Sequence, residues 1–131
     1  MKKFTELRPW LNQLAKTNRM VVTQKNISLR HQLAAIAKKL DGDSGVFFPS
    51  PDGHAIPVVS GFMSSRAWIA EAMGVEERRL LDSFRAAADN PLPCHVVKKA
   101  PCQEVVHKDF DLRVLLPVPT HSEHDSGPYI T

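Results

Sequence analysis

The stretch MVVTQKNISLRHQLAAIAKKLDGDSGVFF, residues 20–48, decides the fold. Met20-Val21-Val22-Thr23 is short and rich in β-branched side chains, which predicts a strand. Behind it Leu29, Leu33, Ile36, Ala37 and Leu40 recur at helical spacing, with Ser28 placed to cap the helix and Asp41-Gly42 placed to stop it. Val46-Phe47-Phe48 then returns to extended apolar chain. A strand, a helix and a second strand in close succession call for a sheet with a helix laid against it.

The neighbouring segments extend this pattern in both directions. In TELRPWLNQLAK, residues 5–16, Leu7, Trp10, Leu11 and Leu14 fall at i, i+3, i+4 and i+7, an amphipathic helix with Thr5 and Glu6 at its start. Pro9 is tolerated because it lies near the first turn. Downstream, Asp52-Gly53 in PSPDGHA is a turn signal joining Val46-Phe47-Phe48 to Ile56-Pro57-Val58-Val59 as a hairpin. Pro57 cannot donate to a ladder, so it belongs at an edge or at the start of its strand. Ser64 or Ser65 caps the helix RAWIAEAM and Gly74 ends it.

A further helix, EERRLLDSFRAAAD, puts Leu80, Leu81, Phe84 and Ala88 on one side and Glu76-Glu77 at its positive end. After the break Asn90-Pro91-Leu92-Pro93, two more strands are expected, His95-Val96-Val97-Lys98 and Glu104-Val105-Val106-His107, joined through Lys99-Ala100-Pro101. Asp111 caps one turn, LRVLL. The expected fold class is α/β (α+β): a single small domain with a mixed β-sheet flanked by helices, filling residues 1–116. The proline-rich remainder, residues 117–131, reads as a connector.

Composition bounds the function. A chain of 131 residues with 43% hydrophobic and 24% charged residues has the balance of a one-domain globular protein, which excludes fibrous and wholly disordered classes. The net charge is +3, but the basic residues come as scattered pairs, Lys38-Lys39, Arg78-Arg79 and Lys98-Lys99, so no nucleic-acid footprint is expected. MKKFTELRPW is followed by no long apolar run, which gives no signal peptide or membrane span and makes the cytoplasm the expected compartment. In that reducing setting Cys94 and Cys102 are expected as free thiols.

The chemistry-bearing residues are few. His121, Glu123, His124 and Asp125 form a compact set, yet the two histidines are three apart between Pro119 and Pro128, unlike the helical His-Glu-x-x-His pattern, so a solvated loop is the simpler reading. Cys94 or Cys102 with His95 or His107 lacks a nucleophile elbow, an oxyanion motif and a third orienting group. Gly42, Gly45, Gly53 and Gly61 never gather into a phosphate-cradling loop. Trp10 and Trp68 lie on apolar helical stripes and are read as core.

Specific strings add to this. ELRPWLNQLAK with RMVVT, GVFFPSPDGHAIPVVSGFMSSRAWIAEAMGV, and above all APCQEVVHKDFDLRVLLPVPTHSEHDSGPYIT resemble the N-terminal region of the UbiD family. The resemblance is carried most sharply by Pro101, Gln103 to Val106, Asp111-Leu112, Leu116 to Pro119, His121, Glu123, Asp125 and Gly127 to Thr131. Members of that family are prenylated-FMN-dependent, reversible decarboxylases of aromatic and α,β-unsaturated acids. The resemblance implies that the flavin, its phosphate, Mn²⁺ and K⁺, and the catalytic Arg and Glu, are held by segments beyond Thr131.

No catalytic, cofactor-binding or metal residue is therefore assigned to this chain. The expectation is the N-terminal domain or a truncated remnant of a carboxy-lyase, inactive and free of cofactor on its own. The alternatives are a subunit of a split decarboxylase working with a separate flavin-binding chain, or an independent metal- or nucleic-acid-binding module. Expected partners are a flavin-binding domain or chain, or a second copy, and neither nucleic acid nor membrane.

Overall fold

Three short strands form one mixed sheet in the order β1–β2–β3: β1 is Met20–Val22, β2 is Gly45–Phe48 and β3 is Val58–Ser60. In the computed structural model, which describes residues 3–129, β1 runs parallel to β2 with Met20 opposite Gly45 and Val22 opposite Phe47. β3 runs antiparallel to β2, with Val46 opposite Ser60 and Phe48 opposite Val58. A parallel step needs a crossover, and the helix α2, Gln32–Leu40, supplies it.

Alternation along β2 sends Val46 and Phe48 to one face and Phe47 to the other. On the first face Val46 and Phe48, both fully buried, pack with Ile27 and Leu33, and Leu29, Ile36, Leu40 and Val58 close around them. Across the sheet, the helix α1, Leu7–Lys16, lies over Met20, Val22 and Phe47. α1 also meets the helix α3, Arg66–Met73, in a second core of Trp10, Leu14, Trp68 and Ala72. Both tryptophans are core residues, and the Trp10 indole N–H donates to the Phe62 carbonyl at 2.8 Å.

Local signals explain the boundaries. Pro9 sits in the first turn of α1, where its missing N–H costs nothing. Ser65 caps α3 by accepting from the Trp68 amide at 3.2 Å, and Gly74 ends it in the left-handed conformation. Pro57 stands just ahead of β3, and Asp111 accepts from the Arg113 amide to start the single turn α5, Leu112–Leu115.

Three expectations are corrected. α2 begins at Gln32 and not at Leu29, because His31 takes a positive φ of 65° and the backbone ahead of it is bonded elsewhere. Leu29 accepts from the Thr120 amide at 3.0 Å and His31 donates to the Thr120 carbonyl at 2.9 Å, a short parallel bridge. The helix after α3 is regular only from Leu80 to Asp89 (α4), behind a 3-10 turn at Glu77–Arg79. Of its apolar stripe Leu80 is buried, whereas Leu81, Phe84 and Ala88 face solvent.

The third correction concerns the two late strands. Residues 95–98 and 104–107 are exposed and unladdered, and the regular structure between them is one 3-10 turn, Pro101–Gln103. Strands need a partner edge, and the three-stranded sheet is built without them. Cys94 and Cys102 are exposed free thiols in the same segment. Of the connector expected over residues 117–131, the last two residues, Ile130 and Thr131, lie outside the described residues.

Candidate functional site

The Arg30–Thr120 bridge carries the C-terminal segment onto α2 and so creates a cleft. Pro117 and Pro119 fix the backbone on either side of Val118, and Pro117 is buried. Beyond Thr120 the chain folds over the start of α2. An open cleft of about 630 Å³ results, lined by His31, Lys38, His121, Ser122, Glu123 and His124. A second hollow of about 310 Å³ adjoins it through Lys38 and His121, with Asp41, Ser60 and Gly61 on its far side.

Asp125 shapes the loop. Its Oδ2 accepts from the backbone amides of His121 at 2.6 Å and Ser122 at 3.1 Å, and Oδ1 accepts from the Ser122 hydroxyl at 3.2 Å. The two backbone donors, His121 first, hold the Asp125 carboxyl below its ordinary range. The His121 Nδ1 stands 3.8 Å from Asp125 Oδ2, so the imidazole is an outlying companion of this turn. A carboxylate spent on local backbone amides is a turn anchor and is poorly placed to reach a metal.

The structure thus brings His121, Glu123 and His124 to one cleft and turns Asp125 away from it. Among the described residues no group of three His, Cys, Asp or Glu side chains stands close enough to hold a metal ion. Cys94, His95, Cys102 and His107 are all exposed on the segment after α4, with the His107 ring edge-on to Phe110 at 6.1 Å. Sequence reasoning missed His31 and Lys38 as partners of the loop. Their spacing on α2 is ordinary surface spacing, and only the bridge through Thr120 brings the loop to them.

A flavin needs an enclosed apolar slot for its rings and an anion cradle for its phosphate. The clefts here are open, and among the described residues no polar or charged residue is buried. These residues by themselves do not fit a flavin. No helix among them is long and apolar enough to cross a membrane.

Comparison with known proteins agrees with the sheet and helices described. Residues 11–88 match the family model of the 3-octaprenyl-4-hydroxybenzoate carboxy-lyase N-terminal domain, and residues 95–131 match that of the carboxy-lyase Rift-related domain. A Rhodospirillum rubrum protein known as the uncharacterized protein in the cooM 5′ region is 32% identical over 127 residues, covering 91% of this chain and 27% of that protein. The anhydromevalonate phosphate decarboxylase of Methanosarcina mazei is 27% identical over 124 residues, 95% of this chain and 28% of the enzyme. The fold is similar to that of the UbiD-class enzyme HmfF from Pelotomaculum thermopropionicum, solved in an evolved dimeric form in complex with prFMN. There the TM-score is 0.86 and the identity 36%, over 95% of this chain and 30% of that one. This chain therefore spans less than a third of each protein's length, and what it shares with them is the segment on which the sheet, the two cores and the Thr120 bridge are built. On the match of residues 11–88 to the N-terminal domain and of residues 95–131 to the Rift-related domain, the chain belongs to the UbiD family of carboxy-lyases.

Proposed function

We propose that the chain serves as the N-terminal domain of a UbiD-type carboxy-lyase that acts reversibly on aromatic or α,β-unsaturated acids. In this reading residues 1–116 form one folded unit, whose last part, from residue 95, already lies in the match to the Rift-related domain, and residues 117–131 connect it to a flavin-binding region, in the same polypeptide or in a separate one. That region holds prenylated FMN with Mn²⁺ and K⁺ and supplies the catalytic groups, and the complex works in the cytoplasm. The 131 residues alone do not catalyse the reaction. The observation that carries this reading is the similarity of 95% of the chain to the prFMN-bound HmfF at a TM-score of 0.86. The open, solvent-lined clefts support the division of labour, because decarboxylation on a flavin needs a pocket that excludes water.

The test replaces the matched segment of HmfF by this chain and co-produces the fusion with a flavin prenyltransferase. Flavin absorption and release of carbon dioxide from the substrate of HmfF are expected in the fusion, and neither is expected from the 131-residue chain. A fusion without flavin-dependent turnover, or turnover by the 131-residue chain, refutes the reading.

A further inference from the structure

Half of the chain's six histidines meet at one place. His31, His121 and His124 line the cleft of about 630 Å³ between α2 and the loop after Thr120, and Lys38 lines it two turns along the helix from His31. Lys38 and His121 also border the adjoining hollow of about 310 Å³, so these two stand where the two spaces join. None of the four is spent on a firm partner inside the protein. Among the described residues Lys38 has no ion-pair partner, and the His31 and His124 rings make no hydrogen bond. The His121 ring has its 3.8 Å approach to Asp125, whose carboxylate is held by backbone amides.

The helix adds a backbone donor. In its first turn the amides of Gln32, Leu33 and Ala35 are bonded to the carbonyls of Arg30, Ser28 and His31, which leaves that of Ala34, and Ala34 lines the cleft. Charge then narrows the choice of ligand. Glu123 is the one acidic residue lining the cleft, Asp41 stands across the adjoining hollow, and Asp125 is turned to its own loop. Lys38 offsets Glu123 while the imidazoles are neutral, and every imidazole that takes up a proton adds one more positive charge. A divalent cation would be repelled by Lys38, and among the described residues no three ligand side chains converge on one point. An apolar ligand would stay largely in water, because the cleft is open. A small oxyanion meets N–H donors on its inner side and keeps its water on the outer one.

We infer that this cleft binds a dianionic oxyanion, a phosphate or sulfate group, between His31 and Lys38 of α2 and His121 and His124 of the loop. The anion bridges two segments that the Thr120 backbone bonds already join, so its binding steadies the C-terminal segment on α2. Every group involved belongs to this chain, and the site is independent of the carboxy-lyase reading above.

Sulfate is the first probe, because it stays doubly charged throughout the range, about pH 5 to 8, in which imidazole titrates. In the 131-residue chain it is expected to shift the ring resonances of His31, His121 and His124 and to leave those of His54, His95 and His107, which lie outside the cleft, in place. Binding is expected to be roughly tenfold tighter at the acid end of that range than at the alkaline end. At about ten times its Kd, sulfate should slow exchange of the His31 and Thr120 amides about tenfold. Glu123→Gln should tighten binding and Lys38→Ala weaken it, each about two- to fivefold. Equal shifts at all six histidines, the same effect from chloride at matched ionic strength, or unchanged binding in both variants overturns the site. Unchanged exchange at His31 and Thr120 overturns the bridge. Inorganic phosphate is measured beside phenyl phosphate: tighter binding of the ester supports the phosphoryl end of a larger molecule, tighter binding of the ion supports free phosphate, and binding of neither overturns the proposal.

Discussion

Arg19 and Glu71, fifty-two residues apart, form a two-pronged ion pair, with Nη1 donating to Oε2 at 2.7 Å and Nη2 to Oε1 at 2.9 Å. The guanidinium also lies 5.7 Å from the ring centre of Trp10 and 5.4 Å from that of Trp68. One side chain thus joins the lead into β1, both tryptophans of the second core, and α3. The pair is 23% and 32% exposed, sheltered enough for its geometry to matter.

Glu71→Gln is expected to cost about 1–2 kcal/mol near neutral pH, because a charge-assisted fork is replaced by a weaker bond. Arg19→Lys is expected to cost a comparable amount, since an ammonium cannot reproduce the fork or stack on two rings. The Arg19 hydrogen bonds hold the Glu71 carboxyl below its ordinary value of 4.5, outweighing the opposing effect of burial. A depressed carboxyl contributes its full stability above the unfolded value and loses it as the pH falls through the folded one. The difference between the parent and Glu71→Gln in urea-midpoint stability should therefore shrink steadily below pH 4.5; a constant difference down to full protonation would rule out the pair as its source.

Neither partner was legible beforehand, because an ion pair between distant segments leaves no periodic trace. The central elements were legible for the opposite reason. Met20 to Val22, the stripe of α2 and the Asp52-Gly53 turn each carry a local signal that the sheet also demands. Propensity failed where tertiary bonds claimed the backbone. Leu29 to His31 look helical but are bridged to Thr120, and residues 95–98 and 104–107 have strand composition without a strand to pair with. The same bridge explains why the cleft was half visible: His121, Glu123 and His124 are adjacent in sequence, whereas His31 and Lys38 join them only in space.

Two glycines separate conformational strain from crowding. Gly53 and Gly61 both have positive φ, 80° and 67°, but a Cβ on Gly53 would meet open space, while one on Gly61 would come within 3.3 Å of the Ser44 carbonyl oxygen. Gly53→Ala is expected to cost about 1 kcal/mol for the left-handed backbone alone. Gly61→Ala adds a contact against rigid backbone beside β2 and is expected to cost roughly twice as much. Thermal unfolding of the two variants side by side checks the order, and equal losses would show that Ser44 yields freely.

The Asp125 turn makes a prediction about the cleft and not about global stability. Asp125→Ala removes the acceptor of the His121 and Ser122 amides, so hydrogen exchange at those two positions should accelerate while the amides of β2 are unchanged. Adding Zn²⁺ or EDTA to the parent chain should leave both exchange rates and the unfolding midpoint where they were, because the carboxylate is engaged with backbone. Slower exchange at His121 on adding Zn²⁺ would instead restore the metal reading of this loop.

Burial divides the large aliphatic residues into two populations with opposite mutational signatures. Leu14 is fully buried in the cluster that holds both tryptophans, and Leu14→Ala should cost about 3 kcal/mol from lost transfer energy and the cavity left behind. Val106 is 73% exposed, and Val106→Ala should change the stability of the 131-residue chain by less than about 0.5 kcal/mol. Where the flavin-binding region proposed above covers this surface, the same substitution should cost about 1 kcal/mol or more from lost burial. Denaturant unfolding of both variants, alone and in the fusion, measures the difference. A Val106→Ala loss that is equally small in both would mean that the aliphatic surface stays in water and that the chain meets its partner through another face.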